Sequence, residues 1–286
     1  MSYIYQLIKP AAKDHGVSFE IIQKDYALSF LLSAMAQTPG LGDKIALKGG
    51  TALKKLFYRD YRFSEDLDFS ILEFGVLPNA DELMQAAIQR MTALLENRGP
   101  FEVWVEPLVP SQPHPGQPMT YAVRVRFPDD RLAPCRLRVE ISVDELVLLP
   151  VKSYSILHEY SEPYEGFMQG YALAEIAAEK LRALLQSQDQ LASQGWGASR
   201  ICQDYYDLWH ILGQEKITGL PDLVARKCAA RGITLPPSDE FVSPALFRTA
   251  RREWNQQLRP FMAHLPLAER LLEEDRTMIS TLFREG

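Results

Sequence analysis

The sequence predicts an α+β protein, with a mixed sheet in its N-terminal part and a helical C-terminal region. Helix and strand patterns alternate over the first third of the chain, and three strand patterns follow between residues 101 and 143. Beyond about residue 155 only helix patterns remain. We therefore expect an α/β domain over residues 1–155 and a helical domain over residues 156–286.

The elements follow from apolar spacing and turn residues. Residues 17–37 have apolar side chains near helical spacing, with Ser18 as a suitable N-cap. Five prolines between residues 107 and 118 predict an exposed loop. The other predicted strands are 45–48, 66–71, 101–105, 120–127 and 135–143, and the other predicted helices are 51–58, 81–97, 171–185, 201–212, 220–230, 245–254 and 268–283.

The composition is that of an ordinary globular protein. Hydrophobic residues make up 47% of the 286 residues and charged residues 24%, which excludes a disordered or collagen-like chain. The net charge of −6 excludes a surface that coats nucleic acid throughout, but it permits a local basic groove. The three cysteines have no CxxC spacing, and the most apolar window, residues 26–36, is too short to cross a membrane. We expect a cytoplasmic protein.

The segment Lys48-Gly-Gly-Thr51 is the first part of the strongest local signal. Gly49 and Gly50 lie between a predicted strand and a predicted helix, where glycine permits a tight turn. The first amides of that helix then point toward open space at the positive end of the helix dipole, which favours a phosphate.

The second part of the signal is a pair of acids in Arg62-Phe-Ser-Glu-Asp66-Leu-Asp68. Asp66 and Asp68 are two residues apart in a predicted strand, so their side chains share a face, and a divalent cation such as Mg²⁺ relieves their repulsion. Glu140 lies on the polar face of the predicted strand 135–143 and can join them if the two strands are neighbours. An isolated Asp-X-Asp is commonly a strand edge or a turn, but together with Gly-Gly it indicates metal-dependent phosphoryl or nucleotidyl transfer.

Four segments of the chain resemble the AbiEii/AbiGii nucleotidyltransferase toxins. These toxins belong to type IV toxin–antitoxin and abortive-infection systems, which include the MenT enzymes. The resemblance runs from about residue 22 to about residue 212 and rests on Leu47-Lys-Gly-Gly-Thr-Ala-Leu53, Arg62-Phe-Ser-Glu-Asp-Leu-Asp-Phe69, Leu173-Ala-Glu-Ile-Ala-Ala-Glu-Lys-Leu-Arg-Ala-Leu184 and Asp204-Tyr-Tyr-Asp-Leu-Trp-His210.

The resemblance implies a polymerase-β-like nucleotidyltransferase fold of two lobes, with the helical domain completing the active-site cleft. It matches Asp66 and Asp68 to the metal-binding pair. Glu140, which the strand pattern places on the same face, is expected to be a third metal ligand or the base. The resemblance matches Lys180 to a nucleotide-phosphate contact and one of Asp204 and Asp207 to a late acidic position. The candidate nucleotide or phosphate contacts are Lys48, Gly49, Gly50, Thr51, Arg62, Ser64 and Lys180.

Several of these residues also have structural interpretations. A lone lysine such as Lys180 in a helix is commonly solvated, and Asp204 and Asp207 can pair with Arg200 or cap the helix. Arg62 and Ser64 can either bind phosphate or brace the loop before Asp66.

The expected partners follow from the chemistry and the resemblance together. The resemblance implies Mg²⁺ or Mn²⁺, an NTP substrate, transfer to the 3′ end of tRNA, and a cognate antitoxin. Basic residues that can contact an RNA backbone are Arg124, Arg126, Arg136, Arg138, Arg248, Arg251 and Arg252. Two alternatives remain: a catalytically silent module that binds GTP or RNA, and a nucleotidyltransferase that modifies a protein hydroxyl.

Overall fold

The chain divides into two compact units, Met1–Tyr171 and Ala172–Gly286. The structure, a computed structural model, describes residues 3–73, 77–109, 116–128, 133–195, 200–237, 241 and 243–284. Within these residues, no helix combines the length and the apolar character needed to cross a bilayer.

The first unit is built on a mixed sheet of seven strands in the order β3-β4-β5-β2-β1-β7-β6. Two pairings join strands that are far apart in the sequence, β2 with β5 and β1 with β7, and both are parallel. The other four pairings are antiparallel. The strands are β1 Ile45–Lys48, β2 Asp66–Ile71, β3 Glu102–Pro107, β4 Met119–Arg126, β5 Cys135–Ser142, β6 Lys152–Ser155 and β7 Phe167–Gly170.

Helices cover the apolar face of this sheet. Ser18 caps the second helix by accepting a hydrogen bond from the Ile21 amide, as the sequence predicts. That helix is buried on nearly every side because it packs against the sheet and against two other helices. The helices of the unit are α1 Tyr3–Asp14, α2 Phe19–Ala36, the short α3 Gly49–Ala52, which continues as a π-helical turn over Leu53–Phe57, and α4 Ala80–Leu95.

The second unit is helical, as predicted. Its helices pack around apolar residues such as Leu181, Leu208 and Leu246, which are fully buried. The bounds are α5 Leu173–Gln194, α6 Ile201–Gln214, α7 Leu220–Ala230, α8 Pro244–Leu258 and α9 Ala268–Arg284.

Three expectations need correction. Strands do not stop near residue 155, because β7 follows and pairs with β1 through Leu47 and Gly170. Pro107 does take part in the ladder, as the last residue of β3 opposite Tyr121; residues 110–115 of the predicted proline-rich loop lie outside the described residues. The helix expected from Thr51 begins at Gly49 instead.

Candidate functional site

A row of charged residues crosses the polar face of the sheet in the first unit. Lys48 of β1 is the register partner of Asp68 in β2, and Asp68 is in turn the partner of Glu140 in β5. Asp66 lies on the same face, opposite Arg138. The neighbouring positions Leu67 and Val139 point into the core and are fully buried. The alternation therefore holds the charged side chains on one face, and the pairing of β2 with β5 that Glu140 required is present.

Asp66 and Asp68 offer the oxygen ligands that a hard divalent cation prefers. Both are partly exposed, which leaves them accessible from the polar face. The Glu140 carboxylate accepts a hydrogen bond from Arg138 Nη2 at 2.7 Å. Among the described residues, no three His, Cys, Asp or Glu side chains are grouped closely enough to hold a metal ion. The two aspartates would supply two ligands to a cation, whereas Glu140 would have to leave Arg138 to supply a third.

The Gly49-Gly50 turn lies directly against this face. Gly49 has a φ of +72°, and a β-carbon added there would lie 3.1 Å from Asp68 Oδ2. A β-carbon on Gly50 would lie 2.5 Å from Arg62 Nη2 and 3.2 Å from Ser64 Oγ. The backbone of the turn thus approaches three of the predicted site residues closely, and the positive φ of Gly49 favours glycine there.

Thr51 and Arg62 are buried more deeply than is usual for side chains that bind a phosphate directly. The Thr51 hydroxyl donates to the backbone carbonyl of Asp66, and the side chain is 1% exposed. Arg62 is 2% exposed and donates from Nη1 to the Phe63 carbonyl at 3.3 Å. Thr51 therefore ties the start of α3 to the start of β2, whereas Arg62 lies beneath the glycine turn and Ser64 is half-buried beside it.

Lys48, at the end of β1, is also largely buried. Its ammonium lies 3.4 Å from Glu145 Oε2 and 6.0 Å from the centre of the Tyr171 ring. The lysine thereby places a positive charge at the Lys48–Asp68–Glu140 row, on the strand that leads into Gly49.

In the helical unit, Lys180 joins both predicted acids. Its Nζ lies 2.8 Å from Asp204 Oδ1 and 2.6 Å from Asp207 Oδ2. The Asp207 side chain is fully buried, whereas that of Asp204 is 18% exposed. Lys180 is therefore not a solvated surface lysine, and the structure groups both Asp204 and Asp207 with it.

Another acid of the helical unit escaped the sequence analysis. Asp275 of α9 is fully buried, and neither of its carboxylate oxygens has a hydrogen-bond partner among the described residues. Burial raises the pKa of Asp275 well above its usual range, and the charges of Glu274 and Asp207 raise it further. No sequence pattern reveals this residue, since Glu-Glu-Asp in a helix is typical of an exposed face.

Comparison with known protein families identifies the family of this chain. Residues 31–274 match the family model described as nucleotidyl transferase AbiEii toxin, type IV TA system. The chain belongs to the AbiEii toxin family. No curated protein sequence matches it individually. Among solved structures it is similar to MenT4, a nucleotidyltransferase toxin from Mycobacterium tuberculosis H37Rv, with a TM-score of 0.63 and 21% identity over 96% of this chain and 88% of that chain.

Membership in the AbiEii family confirms the family and the reaction class that the sequence motifs predicted: the protein is a nucleotidyltransferase toxin of a type IV toxin–antitoxin system. The likeness to MenT4 confirms the α+β nucleotidyltransferase fold. At this identity the likeness concerns the fold alone, so the roles of individual AbiEii-type site residues in this chain rest on the geometry described above.

Proposed function

We propose that the protein transfers a nucleoside monophosphate from an NTP to the 3′ end of an RNA, with tRNA as the acceptor. The observation that carries the proposal is the Asp68–Glu140 register pair on the same sheet face as Asp66, with Gly49 packed against Asp68. The resemblance of the motifs to AbiEii toxins supports an NTP donor and a tRNA acceptor, and it supports a cognate antitoxin as the protein partner.

In this reaction, the 3′ hydroxyl oxygen of the acceptor bonds to the α-phosphorus of the NTP. The bond from that phosphorus to the bridging oxygen of the β-phosphate breaks, and pyrophosphate leaves with the electron pair. Asp66 and Asp68 would hold Mg²⁺ or Mn²⁺, with Glu140 as third ligand. When bound, the cation stabilises negative charge on the phosphoryl oxygens.

The protein's own groups bind the NTP and move the proton. The Gly49 and Gly50 backbone donates to the phosphates, with Lys48 adding positive charge beside it. If Glu140 is the base, it accepts the proton of the attacking hydroxyl after leaving Arg138. Thr51, Arg62 and Ser64 hold the turn in place. For Lys180, we propose a contact with the NTP phosphates, and Asp204 and Asp207 orient its ammonium.

The test is incubation of the purified protein with total tRNA, Mg²⁺ and each radiolabelled NTP in turn, beside the Asp66→Asn–Asp68→Asn double variant. Label on tRNA from the wild type alone is the expected result, and it names the nucleotide. Label on a protein instead of RNA would overturn the acceptor. NTP binding without any transfer would favour a silent binding module.

A further inference from the structure

Four arginines lie on the polar side of β4 and β5, beyond the acidic residues of the candidate site. We call this surface the arginine face; it consists of Arg124, Arg126, Arg136 and Arg138. Arg124 of β4 is the register partner of Arg136 in β5, and Trp104 of the edge strand β3 is the partner of Arg124. A tryptophan and two arginines therefore form one transverse row on this face.

Folding alone does not explain this row. Like charges directly opposite each other on antiparallel strands destabilise a sheet. Arg136 is exposed, and among the residues that the structure describes no ion pair involves it. A sheet selected only for stability would replace one of these two arginines by a neutral or acidic residue.

Arg124 and Arg126 of this face have weak, replaceable partners. Arg124 Nε lies 3.4 Å from a Glu106 oxygen, and Arg126 Nη1 lies 3.2 Å from a Glu102 oxygen. These side chains are between 34% and 64% exposed, and exposed ion pairs contribute only about 0–1 kcal/mol. A phosphodiester can therefore displace the glutamates at little cost and gain charge-assisted hydrogen bonds.

The arginine face is continuous with the candidate site. Arg138 is the register partner of Asp66, and Arg136 lies four residues before Glu140 on the same strand and face. At about 3.3 Å per residue the separation is about 13 Å, which corresponds to about four nucleotides stacked at about 3.4 Å. Trp104 is half-buried and offers an aromatic surface beside Arg124 on which an unpaired base can stack.

We propose that the arginine face binds the single-stranded 3′ segment of the acceptor RNA, with Arg124 and Arg136 on its phosphates and Trp104 against a base. The inference rests on the proposed transfer to RNA and adds the surface that guides the acceptor toward Asp66 and Asp68. The recognition is of backbone and stacking, so it is tolerant of sequence.

Binding is measured without chemistry, in the Asp66→Asn–Asp68→Asn protein, by fluorescence anisotropy with a short fluorescein-labelled single-stranded RNA of mixed sequence. The Arg124→Ala–Arg136→Ala change is compared with Arg90→Ala, which removes an exposed arginine of α4 on the helical side of the sheet. Loss of two phosphate contacts reduces the magnitude of the negative slope of log K against log salt by about 1.4, and near 0.1 M salt it weakens binding about 25-fold. Arg90→Ala is expected to bind as the parent does.

Two further measurements separate RNA binding from a structural effect. Removing the Arg124–Arg136 repulsion leaves the melting temperature unchanged or raises it, whereas a structural role would lower it. Trp104→Ala weakens binding of the single strand but not of a duplex RNA hairpin of the same length. A 4-thiouridine near the 3′ end of the RNA is expected to crosslink to peptides of β3, β4 or β5.

The proposal and the proposed function can fail separately. If wild-type protein labels tRNA and Arg124→Ala–Arg136→Ala binds and labels RNA as Arg90→Ala does, the arginine face is not the acceptor surface and the proposed function stands. If wild-type protein labels no RNA, both are wrong. Labelling of a protein acceptor that depends on Arg124 and Arg136 would also overturn the RNA assignment.

Discussion

The Arg62 guanidinium fills the space beside Gly50. A β-carbon at position 50 would lie only 2.5 Å from Arg62 Nη2. Arg62 lies in the segment that leads into Asp66, so the glycine turn and the acidic strand are packed against each other. The two motifs of the sequence are therefore packed against each other as one structural unit.

Gly50→Ala places a β-carbon 2.5 Å from Arg62 Nη2, so the buried Arg62 guanidinium must shift. We expect at least tenfold weaker NTP binding and a loss of about 1–3 kcal/mol in the free energy of unfolding. Calorimetric titration and urea unfolding measure the two effects. Gly213→Ala is the matched control, since a β-carbon there meets nothing within 4 Å, and in helix α6 it should stabilise by about 0.4–1 kcal/mol. NTP affinity unchanged in Gly50→Ala would show that the turn does not bind the phosphates.

If the proposed metal mechanism holds, Asp66→Asn and Asp68→Asn should each reduce transfer by about 10³-fold or more, because loss of the proposed cation would remove several kcal/mol of transition-state stabilisation. Both positions are partly exposed, so the melting temperature should change little. The rate of label incorporation at increasing Mg²⁺ measures the effect. Asp60→Asn, at an exposed position of the same unit, should keep full activity. Wild-type rates in either site variant would exclude the metal mechanism.

Lys180→Ala should destabilise the protein by about 3–5 kcal/mol, because it leaves the fully buried Asp207 carboxylate without its cation. The double change Lys180→Met–Asp207→Leu should recover most of that loss, since an apolar pair of similar volume avoids the desolvation of both charges. Thermal unfolding compares the two proteins. The recovered double variant then tests function: if it still binds NTP as the wild type does, Lys180 has no role at the phosphates.

Asp275 should make the protein less stable as the pH rises. Its folded pKa is raised, so below the unfolded value of about 3.9 both states hold the proton and the native state is not penalised. Above that pH the unfolded chain releases the proton first, and stability falls by up to about 1.4 kcal/mol per pH unit until the folded pKa is reached.

Urea unfolding of wild type and Asp275→Asn between pH 4 and 8 measures this slope, with pH values spaced at about one unit. The difference in stability between the two proteins should shift in favour of the asparagine variant as the pH rises. Asp222→Asn, at an exposed position of α7, should follow the wild type at every pH. Parallel pH profiles for wild type and Asp275→Asn would mean that Asp275 ionises in the native protein at its ordinary pKa.

The local sequence pattern predicted element bounds correctly where neighbouring residues determine them. The bounds of β2 and α7 agree with the predicted 66–71 and 220–230, because alternation in one and turn residues around the other specify them. The shared face of Arg138 and Glu140 follows from the same alternation. Glu140 accepts a hydrogen bond from Arg138 on that face. Alternation does not predict this contact, because it depends on the side-chain rotamers.

The features that the sequence did not predict depend on tertiary contacts or on interrupted patterns. The π-helical turn carries Lys54 and Lys55, and Lys55 donates to the buried Asp25 carboxylate at 2.7 Å, an interaction between residues that are distant in sequence. β7 has four residues and is a strand because β1 and β6 pair with it. Neither feature has a periodicity of its own, and helix α1 was missed because Pro10 interrupts its pattern.

The parallel pairing of β2 with β5 has a consequence for how the protein is made. Asp68 and Glu140 are far apart in sequence, and β5 must emerge from the ribosome before it can lie beside β2. Non-local pairing of this kind forms late, after the entropy of closing a long loop has been lost. A nascent or truncated chain that carries the Gly49-Gly50 turn and both aspartates thus still lacks the neighbouring strand. The Asp68–Glu140 pair therefore forms only after most of the first unit has been synthesised.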